Sequence, residues 1–235
     1  MNILITGGFG LIGRSLVSEL SNNNNIFLIS RNIKPENTAT NIVTIDHDLL
    51  APIPVEKIPK DINVVIHLAA IAHKTSSEIM RINCLMTKNI TDAFLNKKVK
   101  FIFFSSVAVY GEANRLFPIK ISDFCKPYSS YGLGKLKDEE IISSSFKDFI
   151  ILRLCPVIEG DDTDLLKRVY LPKTKIKYKS SYNRAYSFLS HRTIFKSINS
   201  IIHENEITNK TINLKDPSNY NESDILKKYN GKEVK

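Results

Sequence analysis

The segment at residues 2–14, NILITGGFGLIGR, organises the predicted fold of this chain. A short apolar run comes first, three glycines follow at every third position, and an apolar helical pattern begins after them. Strand, glycine turn and helix in this order are the context in which a glycine repeat binds a dinucleotide. Gly7 permits a tight turn, Gly10 lets a pyrophosphate approach the backbone, and Gly13 lets the helix pack closely. An ordinary glycine-rich turn is the alternative.

The composition limits the class of protein. A chain of 235 residues with 43% hydrophobic content forms one domain, with at most a small second lobe. No apolar run approaches the ~18 residues that span a bilayer, and a strand beginning at residue 2 leaves no room for a signal peptide. Cys84, Cys125 and Cys155 lack metal or redox spacing, so we expect no metal site, buried thiols and a reduced, cytoplasmic protein.

Arg31 bears on which dinucleotide is bound. It follows a predicted second strand at residues 26–29, and no acidic residue precedes it there. An acid at the end of this strand binds the ribose 2′-OH of NAD, whereas an arginine accommodates the 2′-phosphate of NADP. The sequence therefore favours NADP over NAD, and a solvated loop arginine is the alternative.

Strands are predicted at residues 42–45 and 149–152, and buried strands at residues 63–68 and 99–104. The apolar run of residues 63–68 does not alternate with polar residues, which suits a parallel strand buried on both faces. His67 lies in this run, and taken alone we expect it to be structural. A helix is predicted at residues 77–95, with Asn83 on its apolar face. A buried amide needs hydrogen-bond partners, so a satisfied structural asparagine is one interpretation of this residue.

Polar residues follow the strand at residues 99–104, where ligands bind in open α/β sheets. Ser106 lies there, 25 residues before Tyr131. Tyr131 and Lys135 are neighbours on one face of a predicted helix.

Four motifs thus occur in series over residues 3–135: the glycine turn, His-Leu-Ala-Ala at 67–70, Ser-x3-Tyr-Gly at 106–111 and Tyr-x3-Lys at 131–135. In this order and spacing the chain resembles the extended short-chain dehydrogenase/reductase superfamily, and within it the NAD(P)-dependent nucleotide-sugar epimerase/dehydratase family. The resemblance implies an α/β fold, a Rossmann-type doubly wound parallel sheet over residues 1–156. A small C-terminal substrate-binding lobe is expected over residues 157–235.

The resemblance implies that Ser106, Tyr131 and Lys135 are catalytic. A free tyrosine has a pKa near ~10, and a neighbouring cation favours the phenolate. Lys135 and an oxidised nicotinamide are expected to lower the pKa of Tyr131, which then exchanges a proton with a substrate hydroxyl. Ser106 would hold the same oxygen, and Lys135 would also hold the nicotinamide ribose.

The expected cofactor-binding residues combine the glycine turn with positions matched to the family. Asp48 and Leu49 would bracket the adenine, with Asp46 as an alternative, and Asn83 would lie behind the lysine. The complete set is Gly7, Gly10, Leu11, Ile12, Arg31, Asp48, Leu49, Leu68, Ala69, Ala70, Asn83, Tyr131 and Lys135.

The formal net charge of +9 is concentrated in one region, since residues 165–196 contain nine Lys or Arg and no Asp or Glu. A solvated face and a site for an anionic nucleotide-diphosphate sugar are both consistent with this run. Nucleic acid is disfavoured, because no recognition motif accompanies the charge. The expected substrate-binding residues are Ser106, Val107 and Arg184.

Residues 107–109, Val-Ala-Val, stand where sugar 4,6-dehydratases of this superfamily usually carry Asp-Glu. Dehydration is therefore disfavoured. A C4 epimerase or a 4-keto reductase of a nucleotide sugar remains, with a role in surface polysaccharide biosynthesis. The short lobe keeps two alternatives open: an NADPH-dependent reductase of a smaller carbonyl and a non-catalytic NADP-binding regulatory protein. A homodimer is also left open.

Overall fold

The computed structural model describes residues 1–31, 40–71, 77–111, 118–158 and 185–221. Its helices are α1 (Leu11–Leu20), α2 (Ser77–Asp92), α3 (Ser130–Ser145) and α4 (His191–His203). Short 3-10 turns occur at Val55–Lys57 and Val107–Tyr110. The strands are β1 (Asn2–Thr6), β2 (Asn25–Ser30), β3 (Ile42–Asp46), β4 (Val64–His67), β5 (Lys100–Ser106), β6 (Phe149–Leu154), β7 (Val157–Ile158), β8 (Ala185–Ser187), β9 (Leu189–Ser190), β10 (Lys210–Leu214) and β11 (Asn219–Asn221).

Seven of these strands form one sheet in the order β10-β6-β5-β4-β1-β2-β3. Every neighbouring pair in it is parallel. The order reverses between β1 and β4, and in open parallel sheets this switch point is where ligands bind. The carboxyl ends of β1 and β4 lie side by side there, with Thr6 in register with His67.

Both faces of the sheet are covered, which explains the unbroken apolar runs. Along β1, Ile3 and Ile5 belong to one hydrophobic core and Leu4 belongs to the other. Helices α1 and α4 complete the first core, and α2 and α3 complete the second. Alternate side chains of a strand point to opposite faces, so a strand between two helical layers is apolar throughout. The predicted Rossmann-type fold is confirmed.

The sheet extends past residue 156, where the domain boundary is predicted. β10 pairs with β6 at its edge, and Ile194 and Ile198 of α4 pack in the same core as α1. Residues on both sides of the predicted boundary therefore build one Rossmann unit. The remaining strands form two short ladders, β7 with β9 and β8 with β11, and about half of the predicted lobe lies outside the described residues.

Across the part of the chain that the structure describes, no helix combines the length and apolar character that crossing a membrane requires.

Candidate dinucleotide and catalytic site

The glycine turn after β1 is closely packed on one side. Gly7 has a φ of +74°, and a Cβ there would lie 2.7 Å from the backbone nitrogen of Ala69. A Cβ on Gly13 would lie 2.2 Å from the carbonyl oxygen of Gly7. Only glycine fits either position, so the turn brings β1, the segment after β4 and the start of α1 into direct contact.

The other side of the turn is open. Gly10 is exposed, and among the described residues a Cβ there would meet a single atom, Gly7 O at 3.2 Å. α1 begins at Leu11 with no side-chain cap and no acidic residue in its first turn, and Leu11 is 57% exposed. The first N–H groups of a helix have no intrahelical partner and carry a partial positive charge. Gly10, Leu11 and Ile12 therefore fit the pyrophosphate of a dinucleotide.

At the ends of β2 and β3, two predicted cofactor residues bind each other. Arg31 Nη1 lies 3.4 Å from Asp48 Oδ2, and both side chains are exposed. Asp48 Oδ1 also accepts a hydrogen bond from the backbone of Leu50. Leu49 is 7% exposed and belongs to the core beneath, where its carbonyl accepts from Asn89. The charge of Arg31 is thus shared with a carboxylate, and the Leu49 side chain is turned towards the core.

The segment after β4 lies against the glycine turn. Leu68 N donates to Thr6 O at 3.1 Å, and Ala69 N donates to Thr6 Oγ1 at 3.3 Å. Leu68, Ala69 and Ala70 are half-buried. Asn83 of α2 holds the next residue, because its side-chain amide both accepts from Ile71 N and donates to Ile71 O. Asn83 is therefore a satisfied structural amide of this segment.

Ser106 ends β5 and caps the 3-10 turn that contains Val107, its Oγ accepting a hydrogen bond from Ala108 N at 3.2 Å. The start of α3 packs directly on this turn, since a Cβ on Gly132 would lie 2.5 Å from Ala108 O. Ser129 caps α3 by accepting from Gly132 N. These contacts bring Tyr131, the second residue of α3, next to Ser106.

The phenol of Tyr131 favours its protonated form. Burial raises the pKa of Tyr131 above its ordinary value, a hydrogen bond with Ser106 opposes this, and the charge of Asp138 adds to it. The lowering of this pKa that is expected from Lys135 together with an oxidised nicotinamide stays a prediction.

Lys135 lies beneath the end of β5. It is 4% exposed, its Nζ donates to Phe104 O at 2.8 Å, and the ammonium lies 4.5 Å from the centre of the Phe103 ring. Burial lowers the pKa of Lys135 to about 8, and the charges of Asp138 and Glu139 act in the opposite direction. Lys135 is thus a buried cation held by a carbonyl, an aromatic face and two nearby carboxylates.

Asp138 is a buried carboxylate that acts on Lys135 and that the sequence interpretation missed. It is 1% exposed, and burial raises its pKa to about 6 while the charge of Lys135 opposes the rise. The available signal was its spacing, because residues three apart share a helix face. Lys135 follows Tyr131 by four residues and Asp138 follows Lys135 by three, so all three lie on one face of α3.

Arg184 lies outside the described residues, as do most of the nine cations of residues 165–196. Arg192 and Lys196 of α4 are described, and both are exposed. Among the residues with described positions, no group of three potential metal ligands is found.

Known proteins share this architecture. The UDP-glucuronic acid 4-epimerase of Bacillus cereus, solved with NAD, superposes with a TM-score of 0.79 at 24% identity, over 99% of this chain and 85% of that one. The UDP-N-acetylglucosamine 4-epimerase of Methanobrevibacter ruminantium, solved with UDP-N-acetylmuramic acid, gives 0.74 at 25% identity, over 94% and 78%.

Curated relatives align over a shorter stretch. A UDP-glucose 4-epimerase of Vibrio cholerae is 30% identical over 156 residues, which is 63% of this chain and 48% of the relative. A D-erythronate dehydrogenase of Haemophilus influenzae is 30% identical over 174 residues, 66% of this chain and 54% of the relative. The chain thus spans about half the length of these relatives. The model of the NAD dependent epimerase/dehydratase family matches residues 3–164. Because that match covers more than half of the 235 residues and contains the whole glycine turn and Tyr-x3-Lys segment, this protein belongs to the NAD dependent epimerase/dehydratase family.

Proposed function

We propose that this protein is a C4 epimerase of a nucleotide-diphosphate sugar that uses a bound nicotinamide dinucleotide. The observation that carries the proposal is the placement of Ser106 and Tyr131 together at the carboxyl end of β5, near the sheet's switch point and its open glycine turn. Two relatives named as UDP-sugar 4-epimerases support the substrate class. Such a product would serve glycosyl transfer into a polysaccharide.

Different residues of this protein would bind the dinucleotide and transfer the proton. Gly7, Gly10, Leu11 and Ile12 would hold the pyrophosphate. The dinucleotide, when bound, supplies the acceptor and donor of a hydride. Tyr131 would take the proton of the C4 hydroxyl and later return it to the same oxygen. The protein is therefore left unchanged after each epimerisation.

Ser106 and the charges near Tyr131 set the pKa of its phenol, and therefore whether Tyr131 can accept the proton. The phenol is protonated in this structure, because burial raises its pKa. A proton acceptor at neutral pH needs added positive charge, which a nearby cation provides by favouring the phenolate. Ser106 already favours the phenolate through its hydrogen bond. Ser106 and Val107 would line the side of the site that receives the sugar.

We propose NAD as the dinucleotide. The sequence favoured NADP through Arg31, but two solved neighbours, among them the Bacillus cereus UDP-glucuronic acid 4-epimerase, contain NAD, and a preference for NADP finds no support there. Asp48 is an independent reason, since its carboxylate lies 3.4 Å from the Arg31 guanidinium and would repel a 2′-phosphate bound to it.

Calorimetric titration with UDP, dTDP and GDP tests the substrate class. One nucleotide should bind below millimolar concentration, and Arg184→Ala should weaken it about 10–100-fold through loss of a charge-assisted phosphate contact. If none of the three binds below millimolar concentration, the proposal of a sugar nucleotide fails.

Turnover without added reductant then separates the two C4 reactions. An epimerase converts the sugar with the cofactor that it retains, whereas a 4-keto reductase consumes one reduced cofactor for each product molecule. A reductase of a smaller carbonyl is the second candidate, since one relative is named as a dehydrogenase of D-erythronate rather than of a nucleotide sugar. Reduction of small sugar acids without any nucleotide binding would favour it.

A further inference from the structure

A buried carboxylate on α3 has no place in the proposed reaction. Asp138 is 1% exposed and follows Lys135 by three residues, so both lie on one face of the helix. Its Oδ1 has no hydrogen-bond partner within the described ranges. A buried charge is costly to leave unpaired, and it needs a physical reason to be there.

A chain of hydrogen bonds leads from the glycine turn towards this carboxylate. Thr6 Oγ1 and His67 Nδ1 are 2.6 Å apart, and His67 Nε2 and Thr87 Oγ1 are 3.1 Å apart. The Thr87 hydroxyl in turn faces Asp138 and favours its ionised form. These hydrogen bonds connect β1, β4, α2 and α3.

The carboxylate of Asp138 determines which group donates and which accepts in each of these hydrogen bonds. An ionised carboxylate only accepts hydrogen bonds, so the Thr87 hydroxyl donates to Asp138 and accepts from His67. We therefore assign the neutral Nε2–H tautomer to His67, with Nδ1 accepting from Thr6. Neutral imidazole agrees with its burial, which lowers the pKa of His67 to about 3.

We propose that Asp138 is a positioning residue of the catalytic site: its carboxylate keeps Lys135 charged and orients His67 through Thr87. This inference rests on the proposed function, in which Tyr131 transfers the proton, and on the catalytic role that the resemblance implies for Lys135. Asp138 thereby couples the ammonium under the end of β5 to the strand that carries the dinucleotide turn.

Other charged groups near Asp138 do not replace it. Glu139 on the same helix is bound by Arg153 of β6, so its charge is compensated. Cys84 of α2 faces Asp138, and burial raises the pKa of this thiol to about 12, so it is neutral. Lys135 therefore has Asp138 as its uncompensated carboxylate. Their pKa values of about 6 and about 8 place both groups in the charged form between those pH values.

The first test follows Lys135 by NMR in the full chain labelled with ¹⁵N-lysine. In Asp138→Asn, the midpoint of the Lys135 ammonium should move to lower pH by about half a unit or more, because an anion that favours the charged form is lost. The control Glu140→Gln removes an exposed carboxylate from the same helix and should leave the midpoint in place. Equal midpoints in the wild type and Asp138→Asn would overturn the proposal.

The wild type itself provides a second measurement that needs no variant. Its Lys135 signal should show an additional inflection near pH 6, where Asp138 ionises, and a single inflection would also overturn the proposal. The alkaline limb of the kcat/KM profile should shift with the Lys135 midpoint in Asp138→Asn. The NMR titration uses no substrate, so if the midpoint shifts while Tyr131→Phe keeps full turnover, the positioning of Lys135 stands and the proposed catalytic function fails.

Discussion

The guanidinium of Arg153 binds the carboxylate of Glu139 inside the protein, with Nη2 2.7 Å from Oε2 and Nε 3.0 Å from Oε1. Arg153 Nη1 also donates to the Tyr110 hydroxyl at 2.8 Å, and the Ser105 hydroxyl donates to Glu139. Burial opposes the charge on Arg153, but the hydrogen bonds to Glu139 and Tyr110 raise its pKa above the ordinary value. The pair fixes α3 against β5 and β6. It thereby also fixes the position of Lys135, which lies on α3, relative to the end of β5.

Glu139→Gln should strongly destabilise the fold. The two side chains are 10% and 6% exposed, so the variant leaves a buried guanidinium without its counter-charge. We expect the free energy of unfolding in urea to fall by ~3–5 kcal/mol. Asp92→Asn is the matched control, because it breaks the exposed pair with Lys88 and should cost less than ~1 kcal/mol. Similar small losses in both variants would show that the buried pair adds little.

Lys100 should stabilise the end of α4. It is 7% exposed, and its Nζ donates to the carbonyls of Ile201, Glu204 and Ile207 at 3.0, 2.9 and 3.0 Å. A cation at a helix C-terminus is favourable, and hydrogen bonds from a charged donor are stronger than neutral ones.

Lys100→Met should therefore lower the free energy of unfolding by ~1.5–3 kcal/mol and speed amide exchange at the end of α4. Lys98→Met removes an exposed lysine two residues earlier and should change stability by less than ~0.5 kcal/mol. Unchanged amide exchange in Lys100→Met would contradict the role of these three contacts.

The sequence predicted the sheet well, because a strand covered on both faces is marked by local composition. Its limits appear where distant segments meet. Nothing local in the sequence shows that the strand at residues 210–214 pairs with β6, some 60 residues earlier. For the same reason, the sequence does not show what Lys100 binds, since its three carbonyl partners lie about a hundred residues further along the chain.

In the candidate site, too, the sequence predicted local features but not the contacts between distant segments. The resemblance of four motifs in series to a known family indicated Ser106, Tyr131 and Lys135. The ion pair between Arg31 and Asp48 joins the ends of two strands, and no periodicity predicts it. The direction of the Lys135 side chain depends on Phe104, which belongs to a different element. Motifs therefore indicated which residues gather at the site, whereas charge states and orientations required the packed structure.

Tyr131→Phe should abolish most turnover while leaving binding of NAD nearly unchanged, because the variant removes the transferable proton alone. We expect kcat/KM to fall by about 100-fold or more. Tyr128→Phe is the control, since Tyr128 is 74% exposed and precedes the same helix. A Tyr131→Phe enzyme that keeps more than about a tenth of wild-type kcat/KM, under ~1.4 kcal/mol of transition-state energy, would exclude Tyr131 as the proton carrier.

Asp48→Asn should shift cofactor preference towards NADP. The amide keeps an acceptor for Leu50 N, but it removes the charge that lies beside Arg31. The freed guanidinium can then bind a 2′-phosphate, a contact worth about tenfold or more in affinity. Fluorescence titration with NADH and NADPH measures the ratio of Kd values. In Asp48→Asn combined with Arg31→Ala the gain should vanish, and a gain that persists there would assign it to another residue.

His67 should make the fold sensitive to acid. Burial, with a smaller contribution from the charge of Lys135, lowers the pKa of His67 from 6.5 to about 3. Below pH 6.5 the unfolded chain gains a proton on this residue that the folded chain does not take up, so stability falls as the pH falls towards about 3. The expected slope from His67 is at most ~1.4 kcal/mol for each pH unit.

Asp138 acts with the opposite sign, because burial raises its pKa from 3.8 to about 6, so the folded chain binds this proton first and gains stability between those values. The difference between the wild type and His67→Gln removes the Asp138 contribution, since both proteins contain it. Urea unfolding at pH 7, 6, 5 and 4 should therefore give a shallower acid loss in His67→Gln than in the wild type. His203→Gln changes an exposed histidine and should follow the wild type. Parallel curves for the wild type and His67→Gln would mean that His67 takes up its proton in the folded protein, which would break the chain of hydrogen bonds from Thr6 to Thr87.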